Sequence, residues 1–252
     1  GMCLLLIAYR QHPDYPLIVA GNRDEYYGRP TEPAAWRGDI LSGLDLEAGG
    51  TWMGVARSGR FAVVTNYRDP ADHLPDARSR GILVSQVLSD PASDVELYRR
   101  LHEEGQLYNG FNLVFGGPDG LYSVSNRGPG QVLSEPGVYG LSNHLFETPW
   151  PKVERGKAGL RRYVEQGAAP NTGFLFELLA NRERPRDEDL PHTGVGLEFE
   201  RLLSTIFISS AEYGTRASTV LLYGHDGRVL FAERSYGPHG QPLGEREFRF
   251  RL

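Results

Sequence analysis

Short runs in which apolar and polar residues alternate, separated by glycine-bearing turns, recur along most of this 252-residue chain. A side-chain period of two marks a strand with one buried face, and a turn rich in Gly, Asp or Asn between two such runs closes them into a hairpin. Residues 2–10 and 16–21 pair in this way across His12-Pro13-Asp14-Tyr15, and residues 51–56 and 60–66 across Arg57-Ser58-Gly59. Residues 110–115 and 121–125 flank Pro118-Asp119-Gly120, and residues 220–223 and 228–233 flank His225-Asp226-Gly227. Residues 245–252 alternate Phe248 and Phe250 with arginines, as an edge or half-buried strand does. Helical spacing is confined to the middle of the chain, at residues 81–88, 94–102, 152–165 and 173–180, while the charge-dense residues 182–192, with Pro185 and Pro191, read as an exposed loop. Strands at both ends and helices between them imply an α+β fold of two antiparallel sheets with helices on the outer faces. No linker or repeat interrupts the pattern, so residues 1–252 are expected to form one domain.

With 40% hydrophobic and 23% charged residues the chain can build a core under a polar surface, which excludes disorder. A net charge of -5 supplies no broad cationic field, so nucleic acid is not the expected partner. A small molecule is. No apolar run approaches the roughly 18 residues needed to cross a bilayer, so no transmembrane segment is expected. A single cysteine rules out an internal disulfide and fits a reducing, cytoplasmic setting. The seven histidines show none of the close pairings of a metal site, and no phosphate-binding or dinucleotide fingerprint follows any strand. Neither metal nor cofactor is expected.

Chemistry points to Cys3. Gly1 ahead of Met2 reads as the remnant of tag removal, which makes Met2 the initiator. Initiator methionine is trimmed before small residues, and its loss would place thiol and free α-amine on the same residue. An α-amine with a pKa of about 8 can take the proton of a thiol with a pKa of about 8.5, so nucleophile and base come assembled. An inert, buried strand cysteine is the alternative. The segment Asn22-Arg23-Asp24-Glu25 follows directly on the second expected strand, where hairpin pairing puts it beside Cys3. Four polar residues there form either a site, with Arg23 lowering the thiol pKa and Asp24 orienting the amine, or a solvated turn.

Taken together, Met2-Cys3, Asn22-Arg23-Asp24-Glu25, Glu47-Ala48-Gly49-Gly50-Thr51-Trp52, Thr65-Asn66-Tyr67-Arg68 and Gly214-Thr215-Arg216 resemble the NRDE family, the group that includes the transport-and-Golgi-organisation protein of eukaryotes. That resemblance implies an αββα sandwich of the amino-terminal-nucleophile (Ntn) hydrolase type. It brings no settled reaction; roles proposed for the family touch haem movement and acyl-CoA or lipid metabolism, so a carrier using the same cleft is the competing expectation. Within the fold, the pattern looks most like the cysteine amidases that include bile salt hydrolases and penicillin V acylases. By that likeness Cys3, Arg23, Asp24 and Asn66 are the catalytic group, with Asn66 donating to the oxyanion. Asn143 and Arg216 resemble further polar residues of the same pocket, and Asn22 or Glu25 are alternatives to Asp24, because the acylases separate their arginine and aspartate whereas Arg23 and Asp24 are adjacent. Apart from that likeness, Gly49-Gly50-Thr51-Trp52 either lets backbone approach a ligand closely with Trp52 as a pocket wall or is a glycine turn leading into a strand.

Overall fold

The structure is a computed structural model that describes residues 2–71, 73–166 and 171–252. Gly1, with the expectation attached to it, lies outside them. The first hairpin is formed by β1 (Met2–Tyr9) and β2 (Leu17–Tyr26). β2 runs well past the expected residue 21: Asn22 to Tyr26 continue the ladder, so the segment is strand rather than turn. β3 (Thr31–Arg37) and β4 (Ile40–Asp45) follow, then the expected hairpin of β5 (Met53–Ala56) and β6 (Phe61–Asn66). Helices α1 (Arg80–Ser89) and α2 (Asp94–Glu104) fall where the apolar spacing puts them. Next come β7 (Phe111–Gly117), β8 (Gly120–Ser125), the short β9 (Gln131–Leu133) and β10 (Gly137–Leu141). Helices α3 (Pro151–Glu165), α4 (Thr172–Leu179) and α5 (Leu197–Leu203) precede the closing meander of β11 (Tyr213–Tyr223), β12 (Arg228–Gly237) and β13 (Gln241–Arg251).

Two antiparallel sheets result. One runs β13-β12-β11-β2-β1-β10, the other β3-β4-β5-β6-β7-β8-β9. Among the described residues a single parallel bridge, Met2 to Thr65, joins them. Three apolar clusters show how the layers stack. Leu5, Ile7, Val19, Val55, Val63, Val114 and Phe231 fill the space between the sheets. Leu4, Leu6, Ala8, Ile18 and Val220, on the other face of the first sheet, pack on Val153, Leu160 and Leu175 of α3 and α4. Ala62, Val64, Leu113 and Phe115 of the second sheet pack on Leu83, Val87, Leu97 and Leu101 of α1 and α2. Successive residues of each central strand serve opposite clusters, as the pleat requires. The order of layers is α, β, β, α.

Two bulges interrupt this alternation, and Arg23 of β2 flanks both of them. Met2 pairs with Arg23 and Leu4 with Asn22, leaving Cys3 as the extra residue of β1. On the far side of β2, Thr215 pairs with Asp24 and Ala217 with Arg23, leaving Arg216 as the extra residue of β11. A bulge re-aims a side chain and lets it leave the alternation of its strand. Its effect here is visible at Met2, which joins Leu5 and Ile7 in the cluster between the sheets although an unbroken strand would put it with Leu4 and Leu6.

Candidate active site

Cys3 is 8% exposed and borders a hollow of about 280 Å³ with Asp24, Glu25, Asn66, Arg68, Asn143 and Tyr213. Its thiol reaches the carbonyl of Asp24 at 3.6 Å. Burial pushes the thiol pKa up, and the charge of Asp24 pushes it further, while Lys152 pulls it down. Asp24 is buried too. Its Oδ1 accepts a hydrogen bond from the Thr215 hydroxyl at 2.6 Å, and its Oδ2 has no hydrogen-bond partner among the described residues. Burial raises its pKa against the opposing pull of Lys152. Lys152 is itself almost wholly inside the protein, donating to the Leu203 carbonyl at 3.1 Å, and burial lowers its pKa against the charges of Asp24 and Cys3. A buried ammonium is tolerable only where negative charge or acceptors face it, so its placement depends on the Leu203 carbonyl and on the charge of Asp24.

Asn66 ends β6 at the rim. Its carbonyl accepts from the Asn143 amide at 2.8 Å, and its own side-chain amide makes no hydrogen bond within the described residues. Asn143 is thereby tied to the same rim, and the Ser142 hydroxyl beside it donates to the Cys3 carbonyl at 2.5 Å. Arg68, one turn of loop beyond Asn66, stacks on Trp150, faces Glu200 at 3.7 Å and is buried enough that its pKa falls despite the charges of Cys3 and Glu200.

Three sequence-derived assignments change. Arg23 does not face the Cys3 hollow as a partner of the thiol. Alternate positions of β2 face opposite sides of the sheet, and Arg23 turns between the sheets, where it lies 4.2 Å over the Trp52 ring and donates to the Thr31 hydroxyl at 3.0 Å. The cations near the thiol are Lys152 and Arg68. Arg216 lies outside the hollow as well: it donates to the carbonyls of Tyr26 and Arg29 at 2.9 Å each and borders a separate cavity with Trp52 and Glu233. Asn22 has no amide group left for a ligand, because Nδ2 donates to Leu179 and Ile206 carbonyls and Oδ1 accepts from Ser218. Asp24, Asn66, Asn143 and Glu25 are brought to the Cys3 hollow.

Trp52 walls a second hollow, also of about 280 Å³, with Arg23, Arg29, Arg78 and Arg80; Glu25 and Asn66 border both hollows. In the Gly49-Gly50-Thr51-Trp52 run, Gly49 has open space around it and a φ of 81°, whereas Gly50 is required by close packing. A Cβ on Gly50 would stand 2.5 Å from the Gly81 carbonyl carbon, so only glycine lets the start of α1 approach this loop. Lys152 and Arg68 were not singled out from the sequence. Arg68 closes a motif that had been noticed, and Lys152 shares the buried stripe of α3 with Gly156 and Leu160 at helical spacing, where a lysine is out of place unless it faces a charge.

Comparison with known proteins fits this geometry. The model of the Transport and Golgi organisation 2 family matches residues 2–238. The chain belongs to that family. A Transport and Golgi organization 2 homolog of Mus musculus is 37% identical over 93% of both chains, and the Transport and Golgi organization protein 2 of Drosophila melanogaster is 28% identical over 95% of both. Among solved structures, a conjugated bile acid hydrolase from Clostridium perfringens superposes with a TM-score of 0.52 at 8% identity, covering all of this chain and 92% of that one. A Caenorhabditis elegans N-acylethanolamine-hydrolyzing acid amidase does so with a TM-score of 0.50 at 11% identity, covering 87% of this chain and 92% of that one. At such identities the likeness establishes the fold: this Transport and Golgi organisation 2 family member has the Ntn hydrolase architecture expected of it. No helix among its described residues is long and apolar enough to cross a membrane.

Proposed function

We propose that this family member is a cysteine amidase or thioesterase that acts on a small molecule once Met2 has been removed. The observation that carries the proposal is the second carboxylate oxygen of Asp24, buried without a hydrogen-bond donor among the described residues while the Cys3 thiol bears on the same carboxylate. An α-ammonium on Cys3 is the group whose arrival would satisfy it, and a buried polar atom left unpaired otherwise costs about 1–3 kcal/mol. In the proposed cycle the amine accepts the thiol proton and Sγ attacks the substrate carbonyl. The tetrahedral oxyanion takes a hydrogen bond from the Asn66 amide. Collapse breaks the C–N or C–S bond, and the ammonium returns its proton to the departing amine or thiol. Water then attacks the thioester, giving the carboxylic acid and the free Cys3 thiol. Asp24 holds the amine in place, while Lys152 and Arg68 favour the thiolate.

A carrier for haem or an acyl chain requires a deep apolar cleft. The Cys3 hollow of about 280 Å³ sets Asp24, Glu25, Asn66, Arg68 and Asn143 among Leu203, Ile208 and two tyrosines, and it is smaller than the roughly 300–1,000 Å³ of ligand clefts, which favours chemistry over carriage. The test compares the chain beginning at Cys3 with the chain that retains Met2. Iodoacetamide should label Cys3 faster than a model thiol near neutral pH in the first and slower in the second, and a Cys3→Ser variant should take up none. Equal, slow labelling of both forms would return Cys3 to the status of a packing residue.

A further inference from the structure

The second hollow holds a surplus of positive charge that the chemistry at Cys3 does not use. Arg23, Arg29, Arg78 and Arg80 border it against only two carboxylates, Glu25 and Asp45. Arg29 is engaged by Asp45 and Glu47 at 2.8 and 2.7 Å. Arg23 is 1% exposed, its distance to Asp45 is 3.8 Å, and its Nε–H has no acceptor among the described residues. Arg80 donates to the Gly110 carbonyl at 2.9 Å and has no carboxylate among its described partners. Burial, then the like charges of Arg127 and Arg29, lower its pKa. Helix α1 begins at Arg80, and its N-cap Ser79 makes no side-chain capping bond, so the positive end of the helix adds to the same side of the hollow. A cavity that gathers guanidinium groups and leaves a buried donor unanswered is matched by an oxyanion, which arginine recognises through paired, charge-assisted hydrogen bonds.

We infer that this second hollow binds a phosphate or carboxylate group of the substrate, carried by the part that lies beyond the carbonyl attacked by Cys3. The inference rests on the hydrolase proposal for its orientation, since Glu25 and Asn66 border both hollows and make them adjacent. It narrows the substrate class to acyl conjugates with an anionic end. Neutral amides would leave the Arg23 Nε–H without an acceptor and the charge of Arg80 without a carboxylate partner among the described residues.

The test separates binding from catalysis by using the full chain with Cys3→Ala. Titration calorimetry with pyrophosphate and with succinate should show one-to-one binding of at least one of them, weakening as salt is raised. Tighter pyrophosphate identifies a phosphate-bearing substrate, and tighter succinate a carboxylate-bearing one. Arg80→Gln should weaken the bound probe by about tenfold or more, as the loss of a charge-assisted pair does. Arg78→Gln, at an exposed position where the fold is not at risk, should weaken it several-fold, with circular dichroism confirming that both variants are folded. Absence of heat with both probes, or binding indifferent to both substitutions, overturns the subsite. Because the thiol is absent from this experiment, its failure leaves the alkylation result standing, and failure of alkylation leaves anion binding standing.

Discussion

At the scale of single residues, the site is a balance of three buried ionisable groups whose effects have opposite signs. Asp24 raises the Cys3 pKa and Lys152 lowers it, with burial exceeding both. In the chain that retains Met2, replacing Lys152 with methionine keeps the apolar stem and removes the charge. Loss of a charge that pulls the Cys3 pKa down raises that pKa, so thiolate and labelling rate at neutral pH should fall, by about tenfold for each pKa unit. Asp24→Asn should act the other way and speed labelling. If Lys152→Met labels faster than the parent chain while its circular dichroism is unchanged, the electrostatic account of the thiol is wrong. Asp24 was legible in the sequence as a partner of Cys3, whereas Arg23 was misassigned, and the reason is instructive. Treating residues 22–25 as a turn discards the period of two; carrying β2 on to Tyr26 puts 22 and 24 on one face and 23 and 25 on the other. That single extension would have separated the thiol's carboxylate from the arginine of the second hollow.

At the scale of elements, the hairpins and helices were legible because each carries its own period and its own turn. β3 and β4 were not. β3 is an edge strand with Pro33 inside it and a bulge between Glu32 and Ala35, and proline on an edge erases the alternation that marks a strand. The bulge at Cys3 was invisible for a related reason, because it is defined by pairing across two strands rather than by any local spacing. It has a measurable consequence. Met2 is fully buried between the sheets, touches Gly21 closely enough that a Cβ there would meet its methyl at 2.6 Å, and provides the bridge to Thr65. Removing it to expose the Cys3 amine empties that space. Deleting a buried side chain of this size costs about 2–5 kcal/mol. For a chain of this length that is on the order of 5–15 °C in melting temperature. Scanning calorimetry on chains beginning at Met2 and at Cys3 should show the shorter one melting lower; equal melting would mean that Met2 does not tie the sheets together.

At the scale of the whole molecule, the two sheets are also closed on the side away from Cys3, through a group whose charge works against folding. Glu233 of β12 points between the sheets, where its Oε1 accepts the Ala34 N–H of β3 at 2.9 Å and its Oε2 has no hydrogen-bond partner among the described residues. Arg246 of β13 donates to the Ala34 carbonyl at 3.1 Å, completing the clasp. Burial pushes the Glu233 pKa up to about 7, from 4.5, against the weaker pulls of the Ala34 N–H and of Arg246. A carboxyl with a raised pKa binds its proton more tightly folded than unfolded. Its contribution is therefore most favourable below the unfolded value, declines as pH rises from about 4.5 to about 7, and is absent above that. A difference of this size corresponds to on the order of 3 kcal/mol. Glu233→Gln keeps an oxygen to accept the Ala34 N–H and cannot ionise. Urea unfolding at a series of pH values should find the variant more stable than the parent chain at pH about 8, similar near pH about 4.5, and lacking the decline between them. Parallel pH profiles for the two chains would show that Glu233 is not the group responsible, and that the clasp between β3 and β12 holds equally well with a charge inside it.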